Sequence, residues 1–485
     1  MDDYVEVGLD VSKILEVTGG RLLQGDLHRR TPGISIDSRT LGPGKLFIAL
    51  RGSRFDGHDF IEEAVAKGAS GAIVSRLPVT SNQLPVLIKV KDTIKALGQI
   101  AKAYRERFDI PFIGVTGSIG KTTTKEMIAS VLARRFETLK SEASFNNDIG
   151  VPLTLFRLTP NHRAAVLELG MSAPGQIARL AGLVRPSVGV ITNVSPVHIG
   201  YLDTLEDIAR AKEELLGSLQ DKGKAVLNLD DPYVSQMAVR FKGEVITYGV
   251  ESEAARPRGR GSPKAAIRAS NIRDKGEDGS SFRLGVFQES IQIDLPLLGS
   301  HNIYNALAAA GAAYLLGLNL RSIKAGLERM ESLSHRLELL KIGQVRILND
   351  TYNASPKSMR AAIRILRNLG GKGRRIAVLG DMLELGKHGP PAHQELGGFL
   401  ASATIDRLLT VGELARMIAQ GALKAGMEKG HIIVCDDNKQ AYERLTQIIK
   451  PGDRVLVKGS RAMAMEEIAE RLKAQGWAGD RRHYG

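Results

Sequence analysis

Residues Phe112–Thr124 read FIGVTGSIGKTTT, and the reading of this stretch decides the fold. An apolar run leads into a turn containing Gly117 and Gly120. Lys121 and Thr122 then open the helical stretch KTTTKEMIASVLARRF. Strand, glycine loop and helix in that order make a phosphate cradle. Glycines let backbone amides turn inward with no Cβ in the way, and a helix N-terminus adds positive potential. Lys121 has the reach for β- and γ-phosphates, and the Thr122 hydroxyl suits Mg²⁺. The usual spacing asks for a glycine five positions before Gly120, where Val115 stands. That position falls inside the strand, so the cradle survives and the loop is a variant. The plain alternative is a tight turn with an incidental lysine, and the strand–loop–helix context weighs against it.

Outward from this loop, AAVLELG, VGVITNV and KAVLNLD are short continuous apolar runs, which suit a parallel sheet covered on both faces. EVITYGV, AAIRASNIR, SFRLGVF and SIQIDLP follow as a β-rich appendage. Within it, residues 251–264 are rich in Pro, Gly and Arg and read as a mobile inserted loop. From about residue 331 a second series begins: VRILND, RIAVLGD, RLLTVGE, HIIVCDD and RVLVKGS. Its strand ends offer Asp350, Asp381, Glu413, Asp436 and Lys458 along one edge, where open sheets bind ligands. Ahead of the loop, short strands and turns close on the helical stretch KDTIKALGQIAKAYRERF, which Pro111 ends. The expectation is an α/β chain of three domains. Residues 1–108 form a small α/β unit, 109–330 a central phosphate-loop ATPase-like parallel sheet with its β-rich appendage, and 331–485 a Rossmann-like doubly wound unit.

At 485 residues the chain is too long for one core. No apolar run approaches the ~20 residues of a membrane-spanning helix. The start, MDDYVEVGLD, lacks a basic-then-apolar signal pattern. A single cysteine, Cys435, excludes an internal disulfide or a cysteine metal cluster, and a cytoplasmic setting is expected. The net charge of +14 points to an anionic partner. With no nucleic-acid-binding signature beside it, a small polyanion is expected and nucleic acid is not.

Three further residues stand around the same edge. Glu168 ends AAVLEL: it is either a solvated strand end or a carboxylate in the crevice beside the loop. His198 follows VGVITNVSPV and is either a loop histidine or a metal ligand. Lys212 shares a helical face with Leu205, Ile208, Leu215 and Leu216. Spacing alone favours snorkelling, with the ammonium in water. The alternative is a buried amine of lowered pKa, able to take up CO₂ as a carbamate.

Together these pieces resemble the Mur ligases, whose phosphate loop runs TG-[ST]-x-GKTT; here it is TGSIGKTTT. Further matches are NNDIGVPLTL (146–155), GSHNIYNALAAA (299–310), NDTYNASPKSM (349–359), LGDMLELG (379–386) and VLVKGSRAMAMEEI (455–468). DSR (37–39) and FDGHDF (55–60) are similar to the uridine-binding part of that family, making the first domain the UDP-substrate binder. His335 stands before Arg336 where glycine is usual, Asn349 where aspartate is usual, and ASFNND replaces the usual GNxNN around Asn146.

The resemblance implies a monomeric ATP-dependent amide ligase of peptidoglycan precursor synthesis, acting through an acyl phosphate. It implies UDP-N-acetylmuramoyl-tripeptide and D-alanyl-D-alanine as partners, ATP and Mg²⁺ at two sites as cofactors, and a carbamate on Lys212, against the spacing-based reading. Lys121, His198 and Lys212 are the implied catalytic residues. Thr122, Glu168, His198 and Lys212 are the implied metal ligands. ATP contacts fall on Gly117, Ser118, Ile119, Gly120, Lys121, Thr122 and Thr123, with Asn302, Asn305, Arg336 and Asp350. Substrate contacts fall on Ser38, Arg39, Asn146, Asn147 and Lys458. Two other readings are a sibling ligase that adds a single amino acid and a nucleotide-gated binding protein or nucleic-acid-stimulated ATPase. No acceptor motif like DNPR stands in the last block to favour the sibling.

Overall fold

The computed structural model describes residues 8–52, 55–77, 84–196, 204–219, 223–251 and 265–475. His198 and residues 252–264, most of the inserted loop, lie outside them.

The organising element is a nine-stranded sheet. Phe112–Thr116 pairs in parallel with Ala164–Glu168 on one side and Val188–Ile191 on the other. Thr138–Lys140 closes one edge, while Lys224–Asn228 and Glu244–Val250 continue the sheet the other way, all parallel. Every residue of Phe112–Thr116 and Ala164–Glu168 is buried, as a strand covered on both faces requires. Helices Lys121–Leu132 and His301–Leu315 pack on one face. Helices Thr93–Arg105, Gln176–Val184, Leu205–Gly217 and Pro232–Arg240 bury their apolar sides on the other.

The β-rich appendage is continuous with this sheet. Ile267–Asp274 pairs in parallel with Glu244–Val250, and Ser280–Val286 and Glu289–Leu295 follow as an antiparallel edge. Period-2 alternation identifies such strands but carries no information about their neighbours.

The N-terminal region holds a five-stranded sheet, ordered Arg21–Gln24, Leu87–Lys89, Gly71–Val74, Leu46–Ile48 and Ile34–Ser35. Its closing helix, Thr93–Arg105, is shared with the central body. Tyr104 Oη donates to Leu158 O at 2.7 Å, and Arg105 Nε donates to Val184 O at 2.7 Å.

The C-terminal region is a six-stranded sheet in the order Glu338–Ile342, Val345–Asn349, Arg454–Lys458, Arg375–Gly380, Arg407–Val411 and Ile432–Cys435. Only the first pair is antiparallel. Separate apolar clusters cover its two faces, the doubly wound arrangement.

Candidate active site at the rim of the central sheet

The phosphate loop joins Phe112–Thr116 to Lys121–Leu132. Gly117 has φ +146° and Gly120 φ +87°, conformations that side chains resist. A Cβ at Gly117 would collide with Thr192 Oγ1, and one at Gly120 with Asn305 Oδ1. The loop is stitched to the segment after Val188–Ile191. Ser118 N–H donates to Asn193 O at 2.9 Å, Ile119 N–H to Asn193 Oδ1 at 3.1 Å, and Ser118 Oγ to Ser195 O at 2.9 Å.

Lys121 folds back over this loop, its Nζ donating to Gly117 O at 3.0 Å and Ser118 O at 3.2 Å. Burial pushes its ammonium below the ordinary lysine range; Glu168 opposes that shift and Arg336 adds to it. Thr122 is the junction of the site. Its hydroxyl donates to Glu168 Oε2 at 2.6 Å and accepts from Arg336 Nη2 at 2.9 Å. Thr123 is buried one position further along the helix.

Glu168 lies in the crevice. Parallel register sets it opposite Val115, and its side chain is buried. Its Oε1 accepts from Asn146 Nδ2 at 2.8 Å. Asn147 Oδ1 accepts from Ile149 N–H at 3.1 Å and Gly150 N–H at 2.9 Å, turning the chain into the next helix.

Lys212 is 2% exposed, so the snorkelling alternative is not what the fold adopts. Its helix, Leu205–Gly217, is held beside Gln176–Val184 by Glu214, which accepts from Gly175 N–H at 2.6 Å and Ala178 N–H at 3.0 Å. No described residue pairs with the Lys212 amine. Burial, with the charge of Lys121 second, holds its pKa well below the ordinary value. Lys121 and Lys212 line one cavity of about 240 Å³, with Gly117, Asn146, Gly170 and Ser172 among its other walls.

Arg336 reaches the same rim from the C-terminal region, and Asp350 stands behind it within that region. The Arg336 guanidinium lies 3.6 Å from the Tyr352 ring centroid, a cation–π contact that aims it at Thr122. Asp350 accepts from Lys458 Nζ at 2.6 Å and from Leu337 N–H at 3.2 Å. Lys458 is buried and also donates to Asn353 O at 2.8 Å.

Asn302 and Asn305 lie buried beneath the loop. Asn302 donates to Leu298 O at 2.8 Å, Asn305 donates to Asn302 Oδ1 at 2.9 Å, and Thr124 Oγ1 donates to Asn305 Oδ1 at 3.2 Å. Ser38 and Arg39 stand apart in the N-terminal region. Ser38 Oγ donates to Glu63 at 3.0 Å, and the exposed Arg39 pairs with Asp37 at 2.7 Å.

Tyr352 stands outside the expected site residues, although it is an aromatic two positions beyond Asp350. Asn193 stands outside them too, although it lies in the VGVITNVSPV run that leads to His198.

The donor set fits Mg²⁺. A carboxylate and a hydroxyl stand side by side, as a hard cation prefers. A protonated Lys212 would repel a cation, whereas its carbamate would add oxygen donors. Among the described residues there is no group of three His, Cys, Asp or Glu able to hold a metal, and His198 lies outside them, so a cation here would need donors beyond Thr122 and Glu168.

The fold and rim define a phosphate-loop class, and comparison with known proteins gives the family: the chain belongs to the Mur ligase family. Residues 31–105 match "Mur ligase family, catalytic domain", 115–313 "Mur ligase middle domain", and 335–461 "Mur ligase, glutamate ligase domain". The UDP-N-acetylmuramoyl-tripeptide--D-alanyl-D-alanine ligase of Bacillus subtilis is 36% identical over 95% of this chain and 98% of its own. The Escherichia coli enzyme of that name is 36% identical over 97% of this chain and 99% of its own. A crystal structure of MurF from Acinetobacter baumannii superposes with TM-score 0.86 at 31% identity, covering 96% of this chain and 99% of that one. MurF from Thermotoga maritima in complex with ADP gives 0.78 at 27% identity, covering 91% and 97%.

Proposed function

We propose that this chain joins D-alanyl-D-alanine to UDP-N-acetylmuramoyl-tripeptide at the expense of ATP, as a cytoplasmic monomer. The carrying observation is the cavity shared by Lys121, Lys212 and Asn146 beside the Thr122–Glu168 pair. It sets the Lys121 side chain at a phosphate loop with room for a second anion, and a buried amine, Lys212, on the same wall. The near-full-length likeness to ligases of that name supports the choice of substrates.

Both partners of the first step are anions, so charge neutralisation governs it. Gly117–Thr123 cradle the triphosphate. Lys121 swings from its own loop carbonyls to the β- and γ-phosphates, and Arg336 adds a second cation from the C-terminal side. Asn302 and Asn305 support the loop from beneath and border the adenine. The peptide carboxylate lies in the cavity by Asn146 and Asn147. The γ-phosphoryl group passes to it, giving an acyl phosphate. The dipeptide amine, presented near Asp350 and Lys458, attacks the acyl carbon, and the tetrahedral intermediate expels phosphate. Ser38 and Arg39 contact the uridine end in residues 1–108, with the nucleotide in 109–330 and residues 331–485 closing over it against water.

Mg²⁺, when bound at Thr122 and at Glu168, His198 and carbamylated Lys212, supplies further positive charge to the transferring group. Burial favours the neutral Lys212 amine, the form that takes up CO₂.

The test incubates purified chain with ATP, UDP-N-acetylmuramoyl-tripeptide and either D-alanyl-D-alanine or single amino acids. Product is expected with the dipeptide alone. Product with lysine or a diamino acid would replace this reading by the sibling ligase.

A further inference from the structure

Lys125 lies three residues beyond Thr122, on the same helix, and is fully buried. Burying an ammonium is costly unless it is paired and hydrogen-bonded, so a lysine here needs a reason that an apolar residue would not. Its Nζ donates to Ser141 O and, at 3.4 Å, to Ala143 O, and it pairs with Glu126 Oε1 at 2.8 Å. Three donors meet three acceptors, the full capacity of the group.

The loop it grips carries the catalytic rim. Ser141 Oγ accepts from Glu168 N–H at 3.1 Å. Asn146, in the same loop, donates to Glu168 Oε1 at 2.8 Å, and its own carbonyl accepts from Gly170 N–H at 2.8 Å. Glu168 in turn accepts from Thr122. The contacts close a ring: Thr122, Glu168, Asn146, the loop 141–146, Lys125, and back along one helical turn to Thr122. Ala143 sits at φ +38°, a left-handed conformation that persists only when surrounding contacts impose it. Its carbonyl is one of those held by Lys125. The exposed Glu142–Arg157 pair, at 2.7 Å, is a weaker tie on the same loop.

We propose that Lys125 is a positioning residue of the site: its ammonium fixes the 141–147 loop, and through it sets Asn146 against Glu168 in register with the phosphate loop. The activity arm of this inference rests on the ligase reading given above; the structural arm does not.

Two measurements test it. In the first, hydrogen exchange is followed by mass spectrometry for the unaltered chain, Lys125→Met and Glu126→Gln, without substrates. Lys125→Met is expected to speed exchange in peptides covering 141–147 and to leave the phosphate-loop helix unchanged. Glu126→Gln, which spares both carbonyl bonds, is expected to match the parent. In the second, kcat is compared in a double-mutant cycle with Asn146→Ala. Lys125→Met and Asn146→Ala should each lower kcat by about 10- to 100-fold, the scale of a small misplacement in a reacting pair. The double variant should fall within about threefold of Asn146→Ala alone, since coupled residues are not additive.

Multiplying effects, unchanged or chain-wide exchange in Lys125→Met, a Glu126→Gln that reproduces Lys125→Met, or a fully active Asn146→Ala each overturn the inference. Should Lys125→Met not fold, Lys125→Arg, with an enlarged head on the same charge, carries the same expectations. Failure of the unaltered chain to ligate D-alanyl-D-alanine strikes the proposed function and leaves the exchange result standing.

Discussion

The Thr122 hydroxyl bridges two parts of the chain: it donates to Glu168 at 2.6 Å within the central sheet and accepts from Arg336 at 2.9 Å across the domain boundary. The second bond spans 214 positions of sequence. It brings the C-terminal region to the end of the phosphate loop. Removing the Arg336 head should therefore weaken both nucleotide binding and turnover. Arg336→Met, which keeps the stem over Tyr352, should raise KM for ATP and lower kcat by about 10²-fold, the scale of losing one charge-stabilising donor. Steady-state kinetics with unchanged constants would show the bridge to be incidental.

Lys121→Ala removes the cation that lies across the loop. Turnover of ATP should fall about 10²- to 10³-fold. The fold should persist, because among the described residues Lys121 bonds only to carbonyls of its own loop. Circular dichroism and thermal melting check the second half, and a phosphate-release assay the first.

Gly117→Ala is expected to fail for a different reason. The added Cβ meets Thr192 Oγ1, and the backbone stands at φ +146°. Such positions cost of order 1–3 kcal/mol when strained. Denaturant unfolding should show a loss of that size, together with lost nucleotide binding. A parental midpoint would contradict the geometry.

Lys212 carries a pH signature. Its folded pKa is depressed, so between that value and the ordinary ~10.4 the folded state binds fewer protons than the unfolded chain. Stability of the unmodified protein therefore rises with pH across that window. In bicarbonate-free buffer Lys212→Met should melt above the parent at neutral pH, and the gap should close as pH climbs toward about 10. A gap that widens with pH reverses the sign and removes the argument. Lys212→Ala should be nearly inactive and regain activity with short carboxylic acids; full turnover without them would remove the carbamate role.

Asp350, part-buried, and Lys458, buried, form an ion pair at 2.6 Å. Breaking one side leaves an uncompensated charge, typically worth about 3–5 kcal/mol. Asp350→Asn should destabilise on that scale, and Asp350→Asn with Lys458→Met should recover much of the loss. Equal destabilisation in single and double variants would mean that the pair does not act as a unit.

Much of this arrangement was legible in the residues. The run Phe112–Thr116 with Gly117, Gly120 and Lys121 placed a phosphate loop on a buried parallel strand, because strand, glycine turn and helix each leave a local mark. The 3.6-residue period put Lys212 on the buried face. That face alone pointed to a snorkelling ammonium; the closed packing of its helix against Gln176–Val184 came from contacts between distant segments. Glu168 could be placed at a strand end but not beside Thr122, since strand order is not written in apolar period. The antiparallel edge formed by Ser280–Val286 and Glu289–Leu295 was legible as strands and hidden as part of the sheet, for the same reason. The meeting of Arg336 with Thr122 depends on how two domains close, which no local pattern encodes.

The most direct measurement follows an oxygen atom. UDP-N-acetylmuramoyl-tripeptide labelled with ¹⁸O in its terminal carboxylate is incubated with the chain, ATP and D-alanyl-D-alanine, and the released phosphate is weighed by mass spectrometry. Carboxylate activation by phosphoryl transfer predicts one labelled oxygen in phosphate for each peptide bond formed. Peptide bonds formed with unlabelled phosphate would contradict the acyl-phosphate route at this site.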